Sequence, residues 1–302
     1  MSAKSCARFL LLVCPVFVSL AAGTPARALS APPPSGPWSV RWQPSRLVNG
    51  SPIFFQVAPP VHLKSLTGKW LEHEVYFAFD PHTKSWYGLA GVSLETKEGS
   101  YAMQLTGFTN RGTAVSFSRR IHVKHAKYSS IAVTVAKQFT EPSPQQLQKI
   151  GESKTLKLDV FSRVNTKREW SGTFEAPATA RTSDVFGTQR TFNGEVESTH
   201  QGLDYAVPEG TPVSAMNSGA VLVARPMYFE GNCVMLDHGQ GLLTIYMHLS
   251  EFKVKEGEHV QRGQVLGLSG GTGRATGPHL HVAVRWEGVY LDPAALLKLK
   301  LP

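Results

Sequence analysis

GPHLHVAV, residues 277–284, decides how the second half of this chain is read. In a β-strand, side chains at i and i+2 point to the same face. His279 and His281 therefore stand side by side, with Val282 and Val284 turned to the opposite, core-facing side. Two imidazoles held in register at the start of an apolar strand suit a site, provided other segments supply partners.

Partners exist upstream. Of the eleven histidines, His200, His238, His248, His259, His279 and His281 crowd into the stretch 200–281. His200 lies in THQGLDYAV, four residues before Asp204. Gly202 and the β-prone DYAV argue against a helix, so a loop running into a strand is expected to aim both side chains at one point. His and Asp are suitable zinc ligands, and His281 as a third gives a His₂Asp set that leaves one position open, the catalytic pattern. His279 and His248, the latter in YMHLS, are candidates for proton transfer near neutral pH; the spacing does not say which is the base. His238 in DHG is read as shaping a turn and His259 as exposed, and neither joins the site.

The segment VKEGEHVQRGQVLGLSG (254–270) alternates short β runs with turns at Gly257 and Gly263, like the hammerhead β folds of biotinyl and lipoyl carriers. No attachment lysine follows in GGTGRATGPHLH, so a carrier role is excluded while the β reading stands. GLSGG (267–271) matches a nucleophile-elbow pattern, but its glycines forbid the helix that motif needs. GGTGRATG lacks the strand–GxGxxG–helix order of a phosphate loop. HEVYF (73–77) lacks the second His of a zincin helix.

HxxxD at 200–204, GNCVMLDHGQGLLTIYMHLS at 231–250 and TGPHLHVAV at 276–284, preceded by DVFGTQRTFNG at 184–194, resemble the lysostaphin-type, or LytM-like, zinc metalloendopeptidases. The resemblance covers about residues 171–298. It implies an antiparallel β domain that hydrolyses peptide bonds in peptidoglycan stem peptides or cross-bridges. It also implies one zinc ion per chain held by His200, Asp204 and His281, with His248 and His279 assisting catalysis. The same fold in some relatives serves a different end, a non-catalytic regulator that activates a separate wall hydrolase. Those relatives typically lack ligands, whereas the set here is complete.

The N-terminus reads as an export signal over residues 1–28: Lys4 and Arg8, the apolar FLLLVCPVFVSLAAG, then Ala26-Arg27-Ala28. Export to the bacterial periplasm, cell wall or exterior follows, with no stable membrane span once the signal is removed. The net charge of +9 falls to about +6 without Lys4, Arg8 and Arg27, a balance that suits an anionic wall polymer. The basic residues are scattered and carry no recognition motif, which argues against nucleic acid. Cys233 is left without a partner for an intrachain disulfide and is read as packing, so any metal must be held by His and carboxylate.

Short β-like runs recur from residue 38 to 140: IFFQV (53–57), EVYFAF (74–79), WYGLAGVSL (86–94), YAMQLTGF (101–108), VSFSRRIHV (115–123) and YSSIAVTV (128–135). With turns between them they predict an immunoglobulin-like β-sandwich, a module able to touch wall polymer or a protein partner. Its histidines show no metal spacing. Ser143, Pro144 and Gln146 predict a capped helix burying Leu147, Ile150 and Leu156, within a helix-and-linker region 141–170. The polar stretch 165–181 reads as linker, and residues 171–302 as the metallopeptidase domain. The fold class expected is all-β, with one short helix between the two parts.

Overall fold

The residue pattern that marks the upstream strands also explains how they stack. The computed structural model describes residues 37–134, 136–139, 141–192 and 196–302; the export signal expected over 1–28 lies outside them. A four-stranded sheet runs in the order Ser39–Gln43, Pro52–Ala58, Ser85–Gly91, Ala78–Asp80. A five-stranded sheet runs Leu47–Val48, Ala114–Lys124, Gly99–Phe108, Ser65–Trp70, His73–Tyr76. The two sheets pack through Phe55 and Trp70, whose ring centroids lie 6.1 Å apart, and Trp70 Nε1 donates to Gly91 O at 2.9 Å.

The alternation expected of half-buried strands holds in Ser65–Trp70 and much of Gly99–Phe108 but not in Ser85–Gly91, where every residue is buried. That strand is covered on both faces, so it carries the near-continuous small and apolar run of a doubly packed strand. One cover is the second sheet. The other is the downstream half: a Cβ on Gly91 would meet Leu291 at 2.3 Å, and Gln240 Nε2 donates to the carbonyls of Tyr76 and Tyr87 at 2.9 and 3.1 Å.

Two expected strands come out differently. EVYFAF is not one strand: His73–Tyr76 belongs to the five-stranded sheet and Ala78–Asp80 to the four-stranded one. YSSIAVTV does not close the upstream sandwich. Its Ser130–Val133 pairs in parallel with Gln189–Phe192, which pairs antiparallel with Val196–Thr199, so it extends a downstream hairpin.

The helix Pro144–Ser162 has its capping box, with Ser143 N donating to Gln146 Oε1 at 2.7 Å. Leu156 packs as expected, joined by Val160 and Phe161 against Val223, Met235 and Ala283, but Leu147 is 55% exposed and does not contribute. The stretch 165–181 is not a solvated tether, because Trp170 and Phe174 are buried and Trp170 packs edge-on against Phe54 at 6.2 Å. One continuous apolar core therefore runs from the upstream sheets through Trp170 to the downstream sheet.

That downstream sheet is ten-stranded and carries the site. Leu203–Tyr205, Leu280–Trp286, Leu242–Phe252, Gly231–Asp237 and Gly219–Met227 are successive antiparallel neighbours. The register sets Asp204 and Met247 on either side of His281. Gly257 and Gly263 make the positive-φ turns expected of the 254–270 segment. Cys233 is fully buried, as its setting predicts. The chain is mostly β, and among the described residues no helix is long and apolar enough to cross a membrane.

Candidate metal centre

Strand pairing does most of the positioning. Asp204 and His281 sit opposite each other on neighbouring strands, and His200 reaches them from the loop just before Leu203–Tyr205. His281 Nδ1 lies 2.7 Å from Asp204 Oδ1, His200 Nε2 lies 3.1 Å from the same oxygen, and the two nitrogens are 3.0 Å apart. All three side chains are buried. Zinc–ligand bonds of about 2.0–2.1 Å in a tetrahedral site place ligand atoms about 3.3 Å apart, so the two His200 edges need to widen by about 0.2–0.3 Å and the His281–Asp204 edge by about 0.6 Å. The donor set, two imidazole nitrogens and one carboxylate oxygen, is the chemistry zinc takes.

Three of the four imidazoles are aimed by a carbonyl. His200 Nδ1–H donates to Val185 O at 2.8 Å, leaving Nε2 for the centre. His248 Nδ1–H donates to Thr272 O and His279 Nδ1–H to Gly277 O, both at 2.8 Å, leaving their Nε2 atoms for the groove. The rings of His248 and His279 are 4.8 Å apart, and His279 Nε2 is 4.0 Å from Asp204 Oδ1. All five side chains singled out in the sequence thus meet in one place. His238 stays out of it: buried under the sheet, it donates Nδ1–H to Ser218 O and accepts from Thr244 Oγ1, both at 2.7 Å. It braces the interior as well as the turn it precedes. His259 is exposed beside Glu169.

Electrostatics fix the protonation states. Burial would raise the Asp204 carboxyl, but hydrogen bonds from His200 and His281 outweigh it and hold it well below the usual carboxylate range. Burial, with His281 and His279 nearby, pushes His248 down to about 3, so its ring is neutral at physiological pH. Burial also lowers His281, against the pull of Asp204.

Residue-type spacing alone does not reveal two further contributors. Arg190 donates to Asp184 through Nε at 2.8 Å and to Asp204 Oδ2 through Nη2 at 2.7 Å, so the metal-facing carboxylate is gripped from behind. The only signal was its place in DVFGTQRTFNG. Gly202 is the other: a Cβ there would sit 2.5 Å from His281 Nε2, so only glycine admits the ring. The site lies in an open groove of about 520 Å³. Ile131 and Val133 contribute to its lining from the extra strand, Lys157 from the helix, and Phe229, Glu230 and Arg274 from downstream loops.

This geometry, a β sheet presenting a buried His–Asp–His triangle beside two oriented histidines, suits metal-dependent hydrolysis, and sequence comparison points the same way. Residues 198–293 match the profile of peptidase family M23, so this part of the chain is an M23 domain. It is 45% identical over 103 residues to the peptidoglycan DD-endopeptidase ShyA of Vibrio cholerae, covering 34% of this chain and 23% of that protein. It is 44% identical over 97 residues to the DD-carboxypeptidase/endopeptidase Mpg of Neisseria meningitidis, covering 32% and 22%. The chain thus spans less than a quarter of the length of these relatives. A crystal structure from Pseudomonas aeruginosa assigned to peptidase M23 aligns over 83% of this chain and 95% of that one, with 27% identity and a TM-score of 0.63. At 83% of the chain that likeness extends well beyond residues 198–293.

Proposed function

We propose that the chain is an exported zinc metalloendopeptidase that hydrolyses peptide bonds in peptidoglycan stem peptides or cross-bridges. The observation that carries this reading is the convergence of His200 Nε2, Asp204 Oδ1 and His281 Nδ1 within a groove that also holds His248 and His279. The names of the curated relatives point to the same substrate. Zinc held by the three ligands supplies Lewis acidity and a hydrolytic nucleophile near neutral pH. Asp204, kept ionised, offsets the ion's charge. His248 and His279 take up and release the proton at Nε2 and hydrogen-bond the developing oxyanion. Val185, Thr272 and Gly277 hold the rings in the required tautomers through their carbonyls.

In the same reading residues 1–28 direct export, 38–140 form an immunoglobulin-like module whose last strand, Ser130–Val133, pairs with the downstream hairpin, 141–170 form a helix and connector, and 171–302 the peptidase domain. The upstream module meets anionic wall polymer or a protein partner through basic strands such as Ala114–Lys124. The regulator reading has nothing specific in its favour, since all five side chains of a working site are present.

The test is a digest of purified peptidoglycan by residues 29–302, with His281→Ala alongside and the muropeptides identified by mass spectrometry. New peptides from the native chain alone are expected, and they name the bond. If the zinc-supplied native protein leaves several wall types uncut, the hydrolase reading falls and the regulator reading replaces it.

A further inference from the structure

His248 faces the groove for a reason that its strand alone does not supply. In a regular strand, neighbouring side chains point to opposite faces. Met247 stands opposite His281 and lines the groove with it, so an unbroken strand would turn His248 to the other face. Two departures bring it back. His248 has a φ of +63°, in the left-handed region that L residues seldom adopt. The pairing with Gly231–Asp237 also slips there: Val234 faces Tyr246 and Asn232 faces Leu249, which leaves Cys233 against both Met247 and His248. This is a β-bulge, a device that re-aims a side chain at the cost of backbone strain.

Such a conformation persists only where its surroundings hold it. His248 N–H donates to Glu230 O and its Nδ1–H to Thr272 O, both at 2.8 Å. Thr272 Oγ1 donates to Leu249 O at 2.8 Å, so the bulge is gripped from the 270–277 loop. Glu230 lies in the turn 228–230, and a helix grips that turn. Lys157 Nζ donates to Glu230 Oε1 at 2.5 Å, and Tyr228 N–H donates to Ser153 Oγ at 3.1 Å. Ser153, Lys157 and Val160 share one face of the helix Pro144–Ser162, and Val160 seats that face in the downstream core.

The ion pair matters because Glu230 is buried, 6% exposed, and its Oε2 has no hydrogen-bond partner among the described residues. Arg274 attracts the same carboxylate, but Lys157 and Ser153 are what tie the turn to the helix. Removing the lysine leaves a buried charge short of its partner, and the turn relaxes toward water to solvate it.

We propose that this helix, which lies outside the residues matching the M23 profile, is a brace for the bulge. Lys157 is a positioning residue: it holds Glu230, whose carbonyl keeps His248 turned into the groove. The inference rests on the hydrolase reading above for what His248 does there, and on backbone geometry for how it is held.

The experiment takes the zinc-loaded full chain and compares it with Lys157→Met, Lys157→Arg and the double variant Lys157→Met/Glu230→Gln. The double variant removes the pair without stranding a charge, so it answers the question even if Lys157→Met fails to fold. Activity is measured on the cross-linked muropeptide that the peptidoglycan digest shows to be cut. Lys157→Met and the double variant are expected to lose about 10- to 100-fold in kcat, the scale for a catalytic group displaced by about 1 Å. KM and zinc content should stay near native, because neither substrate nor metal loses a contact. Lys157→Arg keeps the charge and should keep most of the activity. Proton NMR of the imidazole Nδ1–H groups reads the same event without turnover. The His248 signal, from the proton shared with Thr272 O, should shift or broaden, while those of His200 on Val185 O and His279 on Gly277 O stay in place.

Unchanged kcat and an unchanged His248 signal in the double variant overturn the proposal. So does a loss confined to KM, which would make Lys157 a substrate contact. Loss of zinc, or of all three histidine signals together, also overturns it, by making the helix a general prop. If the native chain cuts no peptidoglycan, the hydrolase reading alone fails, and the spectra still uphold or overturn the brace.

Discussion

Arg190 and Asp204 form a part-buried ion pair directly behind the candidate metal centre, Nη2 to Oδ2 at 2.7 Å, while Oδ1 of the same carboxylate faces His200 and His281. The arginine fixes the carboxylate's rotation and keeps one oxygen committed to the ion. Arg190→Gln is expected to weaken zinc affinity by about 10- to 100-fold, the usual cost of losing such a support. Competition against a chromogenic chelator measures it, with Arg190→Lys recovering part of the loss. An unchanged affinity would mean that strand register alone holds Asp204.

The five site residues should separate into two groups by metal content. His281→Ala and Asp204→Ala are expected to lose zinc. His248→Ala and His279→Ala should keep it and lose about 10²- to 10⁴-fold in kcat, the range for a displaced acid–base group. Elemental analysis beside peptide hydrolysis distinguishes them. A zinc-free His279→Ala protein would move that residue into the ligand set.

Acid should weaken the fold through His238. Burial lowers its pKa to about 4 in the folded chain, against about 6.5 when unfolded. Between these values the unfolded state binds the proton and the folded state does not. Stability is therefore complete above about pH 6.5 and falls as the pH drops toward 4, by up to about 3 kcal/mol. Urea midpoints from pH 4 to 8 should show a slope in the native chain that His238→Gln reduces. Parallel curves would place the acid sensitivity elsewhere.

The upstream sheets should prove indispensable to the metal centre. Tyr128 donates its hydroxyl to Asn49 O at 2.6 Å and its ring covers Gly187. Gly187 in turn donates N–H to His200 O at 2.8 Å. Gly187→Ala puts a Cβ 2.0 Å from Tyr128 at a φ of +85°. It is expected to cost about 2–4 kcal/mol through clash and backbone strain, read from thermal unfolding. Residues 171–302 alone should lack dispersed amide resonances, because Leu291 and the downstream sheet lose the cover supplied by Gly91, Phe54 and Trp170. A well-folded, active fragment would refute this.

The His200, Asp204 and His281 cluster was legible because its signal is local. HxxxD at a loop–strand junction and HxH in a strand bring donors together by spacing, and the open question was only whether the two segments meet. The supports were not legible in the same way. Val185, Thr272 and Gly277 act through carbonyls, which every residue has, and Gly202 acts by lacking a side chain. Strand content was readable from short β runs, whereas sheet membership depended on distant partners. EVYFAF divides at Phe77 because two sheets compete for its halves. Trp170 hides a core contact inside a polar stretch, and Leu147 occupies a helix face left exposed among the described residues.

Trp170, wedged against Phe54 within a core common to both halves, has a kinetic consequence. Proteins that clamp around substrate by swinging two lobes need a joint that parts cheaply, with hinge residues to absorb the turn. Here parting would bare Trp170, Phe54 and Leu291 together, at about 1.5–3 kcal/mol for each large apolar side chain brought into water. Such opening is partial unfolding, not a working stroke. The cleft is thus preset, and changes in its width on the catalytic timescale fall to the short pieces along its rim, Ser130–Val133 and the loop that carries Arg274.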